Sequence, residues 1–474
     1  MARSAEPRRR EPSPPETSRT VSRRRIAIAG AVVGVALVAG VALGGTLLPR
    51  GTIAPPLVAA GSTPTPGASA IVTPNASRAP GAAGSSVPDP ALPGPSSAPD
   101  AASALRARLQ ATLDKARRTL AIPGVSATIL LPDGTSWTGV SGLADVAAKR
   151  PVTPETAFAF ASISKTLTSA VILQLVGEGR LALTDSAAAL VPAGLPIKLN
   201  KAITVGMLLD HTSGLADYFL NRKIDAALQG APATIWTARD ALRFVGKPLS
   251  PPGRAFHYAN TNYLLLGLIA QGVTGKPLDQ LIRTRLLAPL SLGSTWYQAA
   301  EKPRASVSDG YRVANAKAPP ADLADGSGVA PFRSVITAAG AAGSIAGTSG
   351  DLARWAQALY GGRVLGADGT RLLLGDFGRT TGYVPGVWYG LGVQSLPIDG
   401  HRTYGHSGRL LGFRSAVRDF VDDGLTIAVL TNQSRADPAV IVRALERVIF
   451  PPPPKPAPSA KPSGAAGPSA SAAG

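Results

Sequence analysis

Three short stretches of this chain hold residues that can do chemistry together. The first is Ser162-Ile163-Ser164-Lys165. The run that follows, Thr166 to Val176, has the length and apolar content of a buried helix. Ser162 and Lys165, three apart, would share one face of it. A serine hydroxyl is a weak nucleophile until a neighbouring base takes its proton. A lysine can be that base when burial or positive neighbours lower its pKa. A helix start also offers free backbone N–H groups to a developing anion. The second stretch is Tyr258-Ala259-Asn260. A phenol accepts a proton only if cations hold its pKa well below ~10, and Lys165 is a candidate cation. The Asn260 amide can orient a substrate amide or the lysine. The third stretch is His406-Ser407-Gly408, followed by Arg409. Its glycine lets a strand edge approach a ligand closely, and a backbone N–H on that edge can be a second oxyanion donor. The chemistry these residues suit is acyl transfer through a serine ester.

Each stretch also has a plain reading. Ser162 and Lys165 would form an ordinary polar pair at a helix start, Tyr258 a core aromatic, and His406 a surface strand residue. His211-Thr212-Ser213-Gly214 imitates the third stretch but precedes the tyrosine, so it is read as a loop lining the cleft. What favours the chemical reading is the joint occurrence of all three.

The elements that must position these residues follow from patterning. Ala104 to Thr119 reads as a helix. Val125 to Leu131 reads as a strand, joined through the turn Pro132-Asp133-Gly134 to a second near Trp137. The middle of the chain is largely helical, broken at Pro192, Gly214, Pro251-Pro252-Gly253 and Pro289. Strand-like segments return at Tyr389 to Gln394, Arg414 to Arg418 and Thr426 to Leu430. A last helix is expected from Pro438 to Val448. Strands at both ends with helices between predict an α/β (α+β) body: one mixed, antiparallel sheet built from the two chain ends, flanked by helices, with an inserted helical region.

Outside that body the composition changes. Residues 1–25 are polar and Arg-rich, and residues 26–48 are an uncharged apolar run. Such a run is long enough to cross a hydrocarbon core of ~30 Å, and its basic flank would stay in the cytoplasm. The expectation is a single-pass membrane anchor with the rest of the chain outside; the alternative is a cleaved signal peptide and a secreted protein. Residues 49–103 read as a disordered Pro/Ala/Ser linker and 451–474 as a tail of the same kind. The folded body is expected at residues 104–450.

The chain has 474 residues, a formal charge of +19 and no cysteine. Disulfides, thiolate zinc sites and a cysteine nucleophile are thereby excluded. The four histidines have no zinc-hydrolase spacing, and neither a glycine-rich phosphate loop nor a Gly-x-Ser-x-Gly elbow occurs. No metal or cofactor is expected. Over residues 51–450 the positive charge is spread without runs, which suits an anionic surface such as a cell-wall polymer or lipid headgroups. Nucleic acid is not an expected partner, because no recognised motif for it appears.

The three stretches, in this order, resemble those of the serine β-lactamase and penicillin-binding-protein family. The likeness is greatest to its class C β-lactamase, D-alanyl-D-alanine carboxypeptidase and esterase branch, whose second motif is Tyr-x-Asn. Phe158-Ala159-Phe160-Ala161, Leu208 to Leu215 and Ala342-Gly343-Ser344-Ile345 fit as well. The resemblance implies the β-lactamase/transpeptidase-like fold over residues 104–450. It implies Ser162 as acylated nucleophile, with proton shuttling shared by Lys165 and Tyr258, and Asn260 positioning substrate and lysine. The N–H groups of Ser162 and Arg409 would form the oxyanion hole beside Ser407 and Gly408. The implied substrate is a D-alanyl-D-alanine peptide of the cell wall. An esterase or peptidase on small acyl compounds, or a catalytically weak wall-binding module, are the alternatives. One departure stands out: family members usually carry Lys-Thr-Gly where this chain has His406-Ser407-Gly408. If His406 replaces that lysine as a cation, activity on carboxylate substrates should fall as pH rises through a histidine's usual ~6.5.

Overall fold

The computed structural model describes residues 98–315, 318–375 and 386–451. The expected basic segment, the apolar run 26–48, nearly all of the linker and the tail beyond 451 lie outside these residues. Among the described residues no helix is long and apolar enough to cross a membrane.

The centre of the body is an eight-stranded sheet. Its strands are β1 (Gly124–Leu130), β2 (Ser136–Asp145), β3 (Arg150–Pro151), β4 (Trp388–Tyr389), β5 (Gln394–Ile398), β6 (His401–Leu410), β7 (Phe413–Phe420) and β8 (Leu425–Thr431). The order across the sheet is β3-β2-β1-β8-β7-β6-β5-β4. The two chain ends meet where β1 pairs with β8, Val125 opposite Thr431 and Leu130 opposite Thr426. Every pairing in the sheet is antiparallel, so it is mixed in chain origin and not in strand direction. The expected strand from Tyr389 to Gln394 is in fact the end of β4, a turn and the start of β5. Gly392 in that turn has φ +89°, a value that suits glycine and interrupts a strand.

Both faces of β1 are covered. Val125, Ala127 and Ile129 join one apolar cluster with Leu109 and Leu113 of α1 (Ala98–Thr119) and with Ile441 and Leu445 of the last helix, Pro438–Ile449. α1 starts earlier than the expected residue 104. On the opposite face Ser126 and Thr128 meet the Ser349 hydroxyl at 2.8 and 2.7 Å. Ser349 opens a helix, Ser349–Tyr360, that packs on the inner face. The sheet therefore lies between two helical layers, as a period-two strand buried on both sides requires.

The inserted helical region lies between β3 and β4. Its central helix, α2 (Ser164–Gly177), buries residues on every side, from Ser164 and Lys165 to Leu175. A helix apolar all round belongs in an interior. A second, α3 (Asn260–Thr274), begins at Asn260 after an extended Ala259 and ends on Gly275 in the left-handed conformation. α2 and α3 share the larger apolar cluster, which includes Leu167, Val171, Leu265 and Ile269.

Candidate active site

Ser162 lies in a one-turn 3-10 helix, Ala161–Ile163, that leads into α2. Neither that turn nor α2 has a side-chain cap. Ala161, just before the serine, sits at φ +50°, a region that side chains with a Cβ rarely occupy. Its neighbours hold the turn there. Phe160 N–H donates to Ile345 O at 2.8 Å, and Phe160 O accepts the Ser415 hydroxyl of β7 at 2.8 Å. Ile345 N–H donates to Ser164 Oγ at 3.0 Å.

Gly408 of β6 presses on the same turn. A Cβ at this position would stand 2.1 Å from Ser415 Oγ, 2.3 Å from Phe160 O and 3.0 Å from Ala161 Cβ. The close approach that this glycine permits is therefore to the chain carrying Ser162; the ligand contact expected from sequence is not what requires it.

Lys165 is fully buried. Its Nζ donates to Ser162 Oγ (3.1 Å), Asn260 Oδ1 (2.7 Å) and Ala342 O (2.9 Å). Two of these partners, an amide oxygen and a peptide carbonyl, can only accept. A neutral amine keeps two hydrogens, which those two acceptors can hold. Its lone pair is then left facing Ser162. Burial lowers the Lys165 pKa to about 7, and the nearby Asp217 carboxylate resists that fall. The lysine can thus be a neutral base near neutral pH, as a fully solvated one cannot.

Tyr258 packs over this group. Lys165 Nζ lies 5.0 Å from the Tyr258 ring centroid and 5.4 Å from that of Tyr263, within cation–π range. The Tyr258–Asn260 segment hangs from His211. The carbonyl of His211 accepts His257 N–H at 2.9 Å, and its Nδ1 accepts Ala259 N–H at 3.2 Å. The His211 ring stands 4.3 Å from that of Tyr258. The loop reading of residues 211–214 is therefore extended: the His211 loop supports the second motif from beneath.

His406 is buried and takes no cationic role. Its Nδ1 donates to Ser407 O at 2.6 Å, so its Nε2 accepts the Tyr389 hydroxyl at 3.0 Å. Burial first, then the cationic Lys165, lower its pKa to about 3, so the ring is neutral at physiological pH. The expectation of a histidine cation in the lysine's place is corrected on that ground, as is the plain reading of His406 as a surface residue. Its neighbours Ser407 and Arg409 are exposed. Ser407 N–H points off β6 to Gln394 Oε1 at 3.1 Å. Pairing with β5 ends at Gln394–Gly405. By antiparallel alternation the Arg409 N–H leaves β6 on the same, now unpaired, edge.

Sequence reasoning passed over Asp217, Ala342 as a carbonyl acceptor, Tyr389 and Gln394. No spacing rule links residues so far apart. The one available signal for Asp217 was its place just after the Gly214 turn, beside the residues already singled out.

A strained turn bearing a serine, a buried lysine bonded to it and a tyrosine over that lysine, all beside an antiparallel sheet, define a serine acyl hydrolase of the β-lactamase/transpeptidase fold. The beta-lactamase family profile matches residues 109–449, and the chain belongs to that family. It is 29% identical over 341 residues to penicillin-binding protein 4 of Amycolatopsis lactamdurans, an alignment spanning 69% of this chain and 85% of that protein. It is 28% identical over 299 residues to a D-aminopeptidase of Cereibacter sphaeroides, spanning 61% of this chain but only 53% of the relative. Among solved structures, a D-stereospecific amidohydrolase from Streptomyces sp. superposes with a TM-score of 0.63 at 26% identity, covering 73% of this chain and 98% of the other.

Proposed function

We propose that this protein hydrolyses acyl bonds through an ester on Ser162, with Lys165 as the base that takes the serine proton and Tyr258 as its partner in returning it to the leaving group. The observation that carries this reading is the Lys165 ammonium position: fully buried, 3.1 Å from Ser162 Oγ, and otherwise bonded only to acceptors. Asn260 holds the lysine. The N–H groups of Ser162 and Arg409 form the oxyanion site, supported by an uncapped helix start and by the free edge of β6. Ser407 lines that edge and Gly408 sets its distance from Ser162.

The preferred substrate is the amide of a D-amino-acid peptide such as D-alanyl-D-alanine, in line with the penicillin-binding protein and the D-aminopeptidase among its relatives. A second reading, an esterase or amidase on substrates without a carboxylate, is favoured by the neutral His406, which leaves the usual cation missing. The apolar run 26–48 would hold the catalytic body outside the membrane. Diffuse positive charge would suit it to the anionic cell wall.

The test is adduct formation, read by intact mass. The full-length chain and its Ser162→Ala variant are incubated separately with a fluorophosphonate and a fluorescent penicillin. A Ser162-dependent adduct with both supports penicillin-binding chemistry. A fluorophosphonate adduct alone supports the ester or amide reading. Adducts that survive Ser162→Ala, or none at all, would sink the nucleophile assignment.

A further inference from the structure

Asp217 sits at the start of a short 3-10 turn, Tyr218–Leu220. Its Oδ1 accepts the Phe219 N–H at 3.1 Å, and its Oδ2 accepts Asn260 Nδ2 at 2.9 Å. The other end of the same amide, Asn260 Oδ1, accepts Lys165 Nζ at 2.7 Å. Asn260 is therefore a bridge with a carboxylate at one end and an amine at the other. Its orientation follows from those charges. Turned over, the amide would set its NH2 against the lysine donor and its carbonyl against the carboxylate, and both contacts would be repulsive.

The groups that face Lys165 can be named from each packed element. The turn before α2 supplies Ser162, and the segment from 342 supplies the Ala342 carbonyl. The loop before α3 supplies the Tyr258 ring, and α3 supplies Asn260 and the Tyr263 ring. His211 and His406 lie within electrostatic reach, but burial keeps both neutral. Asp210, near Tyr263, spends one carboxylate oxygen on the Thr212 N–H and hydroxyl. Asp217 is the carboxylate that acts on Lys165 directly. Burial pushes the Asp217 carboxyl up, while the Phe219 N–H, Lys165 and Asn260 hold it down.

We propose that Asp217 is a positioning residue of this site: it orients the Asn260 amide and supplies the negative charge against which Lys165 takes up and gives back its proton. Burial alone would leave the lysine a weak base, ready to give a proton to a leaving group yet slow to take one from the serine. A carboxylate one amide away restores the balance that a group acting as base and then as acid needs. This inference rests on Lys165 being the base of the proposed reaction.

The experiment is the pH dependence of fluorophosphonate labelling and of kcat/KM on a p-nitrophenyl ester, for the full-length chain. Asp217→Asn keeps an acceptor for Asn260 and removes the charge. Lys165 then loses its proton more easily, so the acid limb should move to lower pH by about one unit. Asp217→Glu should keep the limb near its wild-type position. An unmoved limb in an Asp217→Asn variant that melts like wild type overturns the proposal. If Asp217→Asn does not stay folded, Asp217→Ser, which keeps an oxygen for the Phe219 N–H, is read the same way. Failure of both to fold would mark the residue as structural and overturn the proposal too. A wild-type profile with no acid limb would instead remove the lysine-base reading on which this one rests.

Discussion

Lys165 shows how a side chain's chemistry is set by where it is put. An exposed lysine has a pKa near 10.4 and is almost wholly protonated at neutral pH. Here burial brings it to about 7, so the neutral amine gains population as pH rises through that value. We expect kcat/KM to climb about tenfold per unit below the limb and to level above it. A stopped-flow pH series from 5 to 9 checks this, and a flat profile would show that Lys165 does not titrate in the rate-limiting range. His406 is affected by the same physics in the opposite functional sense. Its ring is already neutral, so no loss of activity on carboxylate substrates should track a histidine titration near 6.5. In 15N-histidine NMR the His406 ring should stay in one neutral tautomer down to about pH 4, one unit above its depressed pKa. A ring that titrates between 6 and 7 would restore the cation role.

At the scale of elements, the site is assembled by the contact of β6 with the turn before α2. Gly408 makes that contact possible, and the hydroxyl of Ser415 in the next strand secures it through Phe160 O. Gly408→Ala places a methyl group inside the contact distance of a backbone carbonyl, which cannot swing away as a flexible side chain would. Overpacking of this kind costs about 1–3 kcal/mol. The strand must also retreat from Ser162, so we expect at least a tenfold loss of kcat/KM with a modest fall in Tm. A variant with wild-type kinetics would mean that the β6 edge does not set the oxyanion geometry.

At the scale of the whole molecule, the first and last strands of the described body pair in one sheet, and the long helical insertion lies between them in sequence. Asn432, fully buried just after β8, ties the ends together. Its Oδ1 accepts Gly124 N–H at 2.6 Å, and its Nδ2 donates to Leu143 O and Ser308 Oγ, each at 3.0 Å. Asn432→Ala leaves the Gly124 N–H and Leu143 O without that partner inside the protein. Unmet buried groups cost about 1–3 kcal/mol each, so a destabilisation of about 3 kcal/mol is expected in urea unfolding. Little change would mean that β1 and β8 are held by their ladder and apolar faces alone.

Much of this was legible in the chain. The three-residue spacing of Ser162 and Lys165, the apolar run that becomes α2, and strand patterns at both ends are local signals, because side-chain direction repeats every few residues. They suffice for the serine–lysine pair, the family resemblance and the sheet built from two ends. The gap between Tyr389 and Gln394 was missed because a glycine turn within an apolar stretch does not break its composition. The charge of His406, the true neighbour of Gly408 and the bridge from Lys165 through Asn260 to Asp217 were decided only by the tertiary structure. Lys165 and Asn260 are 95 positions apart, and no periodicity connects them. Protonation depends on how much water the whole fold removes and on which charges it brings close, and neither quantity is local to the chain.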